Sequence, residues 1–444
     1  MKEGISRLER LPELARLKKL SQISTKKDLL QLSHALFPGT HCPLFGVALT
    51  ASLIDDLIML IVGTDECAYY TKRFTMNREA QGEGRDNVFS FAMSQHDIVF
   101  GAGEKVRDAI LHLDRTYHPQ AILIVTTCVP EITGEDFVSF AATLKDSVEA
   151  AVAVVRTEHF RCNNHMPGIE RTLLALSEFM QPQQTVANSV NILGHRQHGI
   201  EKTELFRLLS ARGVSINLSL PSKSNIDSIR RAPQAALNIV TDFTALPLAQ
   251  RMQKAFGIDY VYFEKYASPH RISAAYRELG QKLELDIEST VAEWHRQAEE
   301  AIATSAQDLV GKSFIYGNSP LMAFEGAAFF TALGMKPIII SARDVYEGDR
   351  AHIDEILARG EDPWVSMVAN IAPLQRLYPV LKPDIYIGHE NPHTLARLGV
   401  AHLVLDSVAF KLGFELPVAI VKMAAEALQT TSKTKTEGVR HVAL

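Results

Sequence analysis

At 444 residues the chain exceeds what one hydrophobic core organises, so two or three domains are expected. Hydrophobic residues make up 46% and charged residues 22%, with a formal net charge of -5, a balance that excludes a disordered chain and a basic nucleic-acid-binding surface. Asp55 and Asp56 interrupt the most apolar early stretch, Ala48 to Val62, and no window reaches the roughly 18 uncharged apolar residues of a spanning helix, so no membrane contact is expected.

The first segment, Met1 to Leu20, is charged and amphipathic and lacks the apolar core and small-residue cleavage site of a secretion signal; a helical arm over 1–30 and a cytoplasmic location are expected. Beyond it, short β-branched apolar runs alternate with helical stretches, the sequence form of parallel sheets covered by helices. The first block, 31–185, carries predicted strands at Leu57 to Val62, Asp97 to Phe100, Ala121 to Val125 and Val152 to Arg156. The second, 186–305, carries them at Ser189 to Gly194, Val214 to Leu218 and Leu237 to Val240, with a helix over Glu201 to Gly213 ended by its glycine. The third, 306–429, carries them at Ser313 to Tyr316, Pro337 to Ile340, Asp384 to Ile387 and His402 to Leu405, between helices at Leu321 to Leu333 and Asp354 to Arg359. Gln181-Pro-Gln-Gln184 and the charged helix Asp286 to Asp308 are the natural joints, and the Thr/Lys-rich segment 430–444 reads as a loose tail. The expected class is α/β: three Rossmann-like domains with mainly parallel sheets flanked by helices, around a central cleft.

Only four cysteines occur, Cys42, Cys67, Cys128 and Cys162, too few for a disulfide framework. Cys42 and Cys67 fall in or beside loops flanking an apolar helix-then-strand unit, and Cys128 follows the strand Ile122 to Val125 through two threonines. Loops at the carboxyl ends of parallel strands face one crevice, so cysteines far apart in sequence can converge there and supply the thiolates of an iron–sulfur cluster. The competing reading is three small cysteines packed as hydrophobes, and spacing alone leaves both open.

The runs THCPLFG, GTDECAYY, HDIVFGAGEKVRDAI and VTTCVPEITGEDF, followed by NSVNILG, RRAPQAALNIV and KPDIYIGHENPHTLARLG, are spread along most of the chain. Together they resemble the subunits of nitrogenase component 1-type oxidoreductases: the molybdenum–iron protein, its cofactor-assembly scaffold relatives and dark-operative protochlorophyllide reductase. The resemblance implies that Cys42, Cys67 and Cys128 ligate an iron–sulfur cluster shared across a subunit interface, a [4Fe–4S] cluster or an eight-iron P-cluster-like group. It also implies a fourth ligand from a homologous second subunit or a second copy of the chain. An ATP-hydrolysing iron-protein reductase would deliver electrons, and a small unsaturated molecule, such as a tetrapyrrole, would be the substrate. Cys162 matches a position that is not a ligand and reads as structural. His159, Arg161 and His165, which flank it at the end of a first-domain strand, are candidate substrate contacts or proton donors.

The departures narrow the function. Where molybdenum–iron proteins hold their large cofactor by a further thiolate, this chain has Asp242, and Asp406 to Gly413 contains no histidine to act as second ligand. Reduction of dinitrogen on a permanently bound cofactor is therefore not expected; a scaffold for metallocluster assembly is the alternative to a reductase. His389-Glu-Asn-Pro-His393 matches a zinc-protease expression, but Pro392 suits the first turn of a helix and leaves His389 in the preceding loop. Gly311-Lys312-Ser313 lacks the first glycine of a phosphate-binding loop and leads into a strand, so this subunit is not expected to hydrolyse ATP. Gly101-Ala-Gly103 reads as a tight turn from strand to helix, and His195 and His198 as a solvated loop.

Overall fold

Runs such as Leu57–Gly63 and Ala121–Thr126, apolar but for the closing Thr126, form strands buried along their whole length, as expected where helices cover both faces of a parallel sheet. The computed structural model describes residues 11–32, 42–80, 86–162, 164–196, 199–222, 224–263, 265, 267–317, 319, 322–367 and 371–442, with backbone alone at 78, 371–373 and 433–442. The described residues divide into two compact units. One holds 40–264 and 278–285; the other holds the N-terminal segment, 265–277 and 286–444.

The first unit contains two four-stranded, all-parallel sheets. One is ordered Val88–Ala92, Leu57–Gly63, Ala121–Thr126, Ala151–Arg156. The other is ordered Asp259–Tyr262, Ala235–Val240, Val186–His195, Ser215–Pro221. A two-residue parallel ladder, Ile54–Asp55 with Ser224–Asn225, joins the two halves, and one continuous apolar core runs through Ile61, Val125, Leu173, Leu193 and Val240. The second unit is built on a sheet ordered Lys18–Lys19, Trp364–Met367, Lys336–Ala342, Ser313–Tyr316, Ile385–Ile387, Ala401–Leu403, parallel except for the first strand. Its core gathers Phe314, Phe324, Phe330, Ile340 and Leu416.

Three sequence readings change. Asp97 to Phe100 is helical, within Gln95–Phe100, because Ser94 accepts a hydrogen bond from Asp97 N while the Asp97 carboxylate accepts from Ser94 N at 2.9 Å, a capping box that overrides the apolar run. The strand lies earlier, at Val88–Ala92, and Gly101 therefore links two helices. The N-terminal arm is not a continuous helix. Leu14–Arg16, Leu20–Gln22 and Lys26–Asp28 are single 3-10 turns around an edge strand, and Leu14, Leu17, Leu20 and Ile23, three apart, are all buried. The segment read as a loose tail continues a helix, Glu415–Val442. Two further strands, Asp259–Tyr262 and Trp364–Met367, complete their sheets. Among the described residues no helix is long and apolar enough to cross a membrane.

One packing contact sets the geometry of everything described next. The helices Pro43–Ala51 and Met166–Ala175 approach so closely that a Cβ on Gly168 would lie 1.9 Å from the Pro43 carbonyl oxygen, and one on Gly46 would lie 2.0 Å from that of His165. Both positions require glycine. Gly168→Ala is expected to cost about 1–3 kcal/mol, the range for overpacking a tight contact, and to lower the urea midpoint of unfolding accordingly. An unchanged midpoint would mean that the helices separate freely.

Candidate functional site

Each of three cysteines stands where a chain segment turns into a helix. Cys42 is the N-cap of Pro43–Ala51, whose first residue is a proline with its φ already helical. Cys67 lies in the first turn of Asp65–Ala80, directly after the strand Leu57–Gly63, and its carbonyl accepts from Thr71 Oγ1 at 2.8 Å. Cys128 opens Cys128–Thr133, two residues after the strand Ala121–Thr126. The last two are held side by side because Thr127 clamps the neighbouring strand: its N and its Oγ1 both donate to Val62 O at 3.1 Å. Only glycine fits opposite, since a Cβ on Gly63 would sit 1.9 Å from Thr127 Oγ1.

The structure brings these three thiols together. Burial pushes the Cys128 thiol above its ordinary pKa, and Cys67, Glu131 and Cys42 push it the same way, so Cys128 feels both other sulfurs electrostatically. Cys42, Cys67 and Cys128 are each partly exposed, whereas Cys162 is buried and donates to Glu158 O at 3.2 Å. Cys42 and Cys67 also line a cavity of about 490 Å³ with Phe45, Tyr70, Arg73 and Phe74. Three partly exposed thiols, of which Cys128 is disfavoured as an isolated thiolate by burial and by the other two, suit a cationic metal centre, which deprotonates and holds such groups together. The donor set therefore fits an iron–sulfur cluster.

His159 and Arg161 occupy one exposed 3-10 turn, and His159 Nδ1 lies 3.4 Å from Cys128 Sγ. The Arg161 guanidinium lies over the Phe160 ring and pairs with Glu158 at 3.4 Å, while the His165 ring meets Phe45 edge-on at 5.8 Å. Of the three, His159 is the one placed beside a candidate ligand. Sequence reasoning missed Glu131, which ties the two loops together. One carboxylate oxygen accepts from Thr126 Oγ1 at 2.6 Å and the other from Glu158 N at 2.7 Å. The signal was available as an acid one turn after a strand-ending cysteine.

Asp242, at the position of the missing cofactor thiolate, is buried and committed elsewhere. It accepts from Thr244 N and Oγ1 and pairs with Arg196 at 2.7 Å. His195 is fully buried at the end of its strand, not part of a solvated loop, because the strand Val186–His195 runs further than its apolar core suggests. His198 lies outside the described residues. The helix Pro392–Leu398 begins as read from Pro392, capped by Asn391, so His389 stays in the loop, where it bonds Asp406 at 2.7 Å. Lys312 leads into the strand Ser313–Tyr316 and lies 3.9 Å from Asp384.

The family model described as nitrogenase component 1 type oxidoreductase matches residues 42–412. Nitrogenase iron-molybdenum cofactor biosynthesis protein NifE of Methanosarcina barkeri is 26% identical over 390 residues, covering 81% of each chain. NifE of Methanococcus maripaludis is 22% identical, covering 81% of this chain and 77% of the relative. The nitrogenase molybdenum-iron protein alpha chain of Methanosarcina barkeri is 27% identical over 70% of this chain and 61% of its own length. Among solved structures, nitrogenase Cp1 at pH 6.5 superposes with a TM-score of 0.76 at 14% identity, covering 90% of this chain and 94% of that one, a likeness of fold.

The hydrogen bond between His389 and Asp406 raises the pKa of the imidazole and lowers that of the carboxylate. A raised histidine stabilises fully below its unfolded value and loses that contribution as pH rises through its folded value; a lowered aspartate stabilises above its unfolded value and loses it as pH falls. The pair therefore acts in full between the ordinary values of 3.8 and 6.5. The melting-temperature difference between the native chain and Asp406→Asn is expected to be largest in that window and to shrink on either side. A difference independent of pH would contradict the pairing.

Proposed function

The chain belongs to the nitrogenase component 1-type oxidoreductase family, and we propose that it is the cluster-bearing catalytic subunit of a two-component, ATP-dependent reductase. A separate iron protein hydrolyses ATP and supplies low-potential electrons, and a homologous subunit or a second copy of the chain completes the site. The carrying observation is the convergence of three partly exposed thiols, Cys42, Cys67 and Cys128, on adjoining helix starts, against the buried and hydrogen-bonded Cys162.

When bound, a [4Fe–4S] cluster supplies one-electron transfer at low potential. Cys42, Cys67 and Cys128 would hold it, and three ligands leave a four-iron cluster one short, which the partner subunit supplies. Glu131 keeps the strand-end loops from separating, and Thr127 fixes their spacing. His159, beside Cys128, can hold a proton close to the redox centre, where a hydrogen bond to sulfur also tunes potential. Arg161 and His165 complete the candidate substrate contacts. The substrate is a small unsaturated molecule such as a tetrapyrrole; Asp242, engaged with Arg196, leaves no thiolate for a permanently held molybdenum–iron cofactor.

The similarity to proteins named for cofactor biosynthesis favours a second reading, a scaffold that carries a precursor cluster and passes it on. Both readings use the same three cysteines. Substituting Cys42, Cys67 or Cys128 by Ala is expected to abolish the iron and sulfide content of anaerobically purified protein, whereas Cys162→Ala retains it. Full iron and sulfide in Cys128→Ala would sink the ligand assignment. Reductant- and ATP-dependent turnover with an iron protein separates the reductase from the scaffold, which instead releases its cluster to an acceptor.

A further inference from the structure

The second unit carries a separate group of metal-ligating side chains that none of the chemistry above uses. His295 and Glu299 stand four residues apart on the helix Glu288–Ala306 and so share one face. His270, in the first turn of the helix Pro269–Lys282, is brought against them, its ring meeting that of His295 edge-on with centroids 4.9 Å apart. Glu299 Oε1 lies 3.1 Å from His295 Nε2 and 3.8 Å from His270 Nε2, and all three ligand atoms fall within 4.8 Å of one another. Two donors bonded at about 2.1 Å to one tetrahedral ion stand about 3.4 Å apart. The observed pairs bracket that separation.

The surroundings prepare the site. Ser273 Oγ lies 2.7 Å from His295 Nδ1, which fixes the ring and leaves Nε2 as its metal-facing nitrogen. That arrangement, a ligating imidazole whose far nitrogen is bonded to the protein, is the usual second layer of a histidine metal site. Among the described residues the buried Nε2 has no hydrogen-bond partner, although the Glu299 carboxylate lies near it. Phe414 stacks on the same ring at 5.7 Å and holds its plane. His270 and Glu299 also line a cavity of about 510 Å³ with Arg271, Glu325 and His352, so water or a small anion has room to complete the coordination.

We propose that His270, His295 and Glu299 bind one divalent transition ion of the zinc class, which clips the start of the helix Pro269–Lys282 to the helix Glu288–Ala306. Two imidazoles and a carboxylate select such an ion over calcium or magnesium, which take oxygen ligands. The site is independent of the thiols, so its failure would leave the iron–sulfur assignment untouched.

The full chain, its thiols blocked by alkylation, is titrated with Co²⁺ and then Zn²⁺, following cobalt absorption and binding heat. One equivalent of cobalt is expected to bind with a nitrogen–oxygen spectrum lacking thiolate charge transfer, and zinc should displace it. His270→Ala, at an exposed position, and Glu299→Gln should each weaken binding by more than about 100-fold, and Ser273→Ala by about 10-fold, the scale of a lost supporting bond. Zinc should raise the melting temperature of the native chain and not of His270→Ala, because an ion that binds only the folded state stabilises it. Affinity unchanged in both ligand variants, binding no tighter than millimolar, or no binding at all would overturn the proposal, leaving His295 and Glu299 as a plain ion pair.

Discussion

Three thiols can serve one metal centre only if the backbone segments bearing them are held within a few ångström, and here that constraint falls on glycines. Gly63 admits the Thr127 hydroxyl between two strand ends, and Gly46 and Gly168 let two helices meet backbone to backbone. The first contact sets the spacing of Cys67 and Cys128, and the second seats the helix that Cys42 caps. A methyl group at any of the three would have to move backbone or a buried side chain, and with it a sulfur. The parallel sheet supplies the remaining order, since its carboxyl-end loops all open on the same side.

The chemistry of the thiols follows from their surroundings. Cys162 is buried with a carbonyl partner, so it behaves as a small core residue that donates a weak hydrogen bond. Cys128 is partly exposed and disfavoured as an isolated thiolate by its burial and by the sulfurs around it. A cationic group relieves that repulsion. The helices carrying the thiols also present Tyr69, Tyr70 and Ile132 to solvent, each more than half exposed, and large exposed apolar side chains of this kind are characteristic of surfaces that meet a partner.

Much of this was legible in the chain. Mainly apolar, β-branched runs marked the central strands of the three large sheets, because a strand covered on both faces has little polar side to confuse its period. Edge strands were harder: Val88–Ala92 alternates and is half exposed, and the flanking Ser94–Asp97 capping box was overlooked in favour of the apolar Ile98-Val-Phe100. The spacing of three in the N-terminal leucines was visible, yet suits either an amphipathic helix or separate 3-10 turns, and packing against the sheet decided it. The cysteines were identifiable as a group from strand-end positions and family likeness. Glu131 and Thr127 were not, since their role exists only once two loops distant in sequence lie side by side.

The central claim is that this chain supplies three ligands and an open face, and that a partner supplies the rest. Light scattering on anaerobically purified protein, with iron and sulfide measured on the same sample, tests it most directly. The account predicts a dimer or larger assembly that carries the cluster and loses it together with association when Tyr69 and Tyr70 are both replaced by Asp. A monomer holding a complete, oxygen-resistant cluster would contradict it.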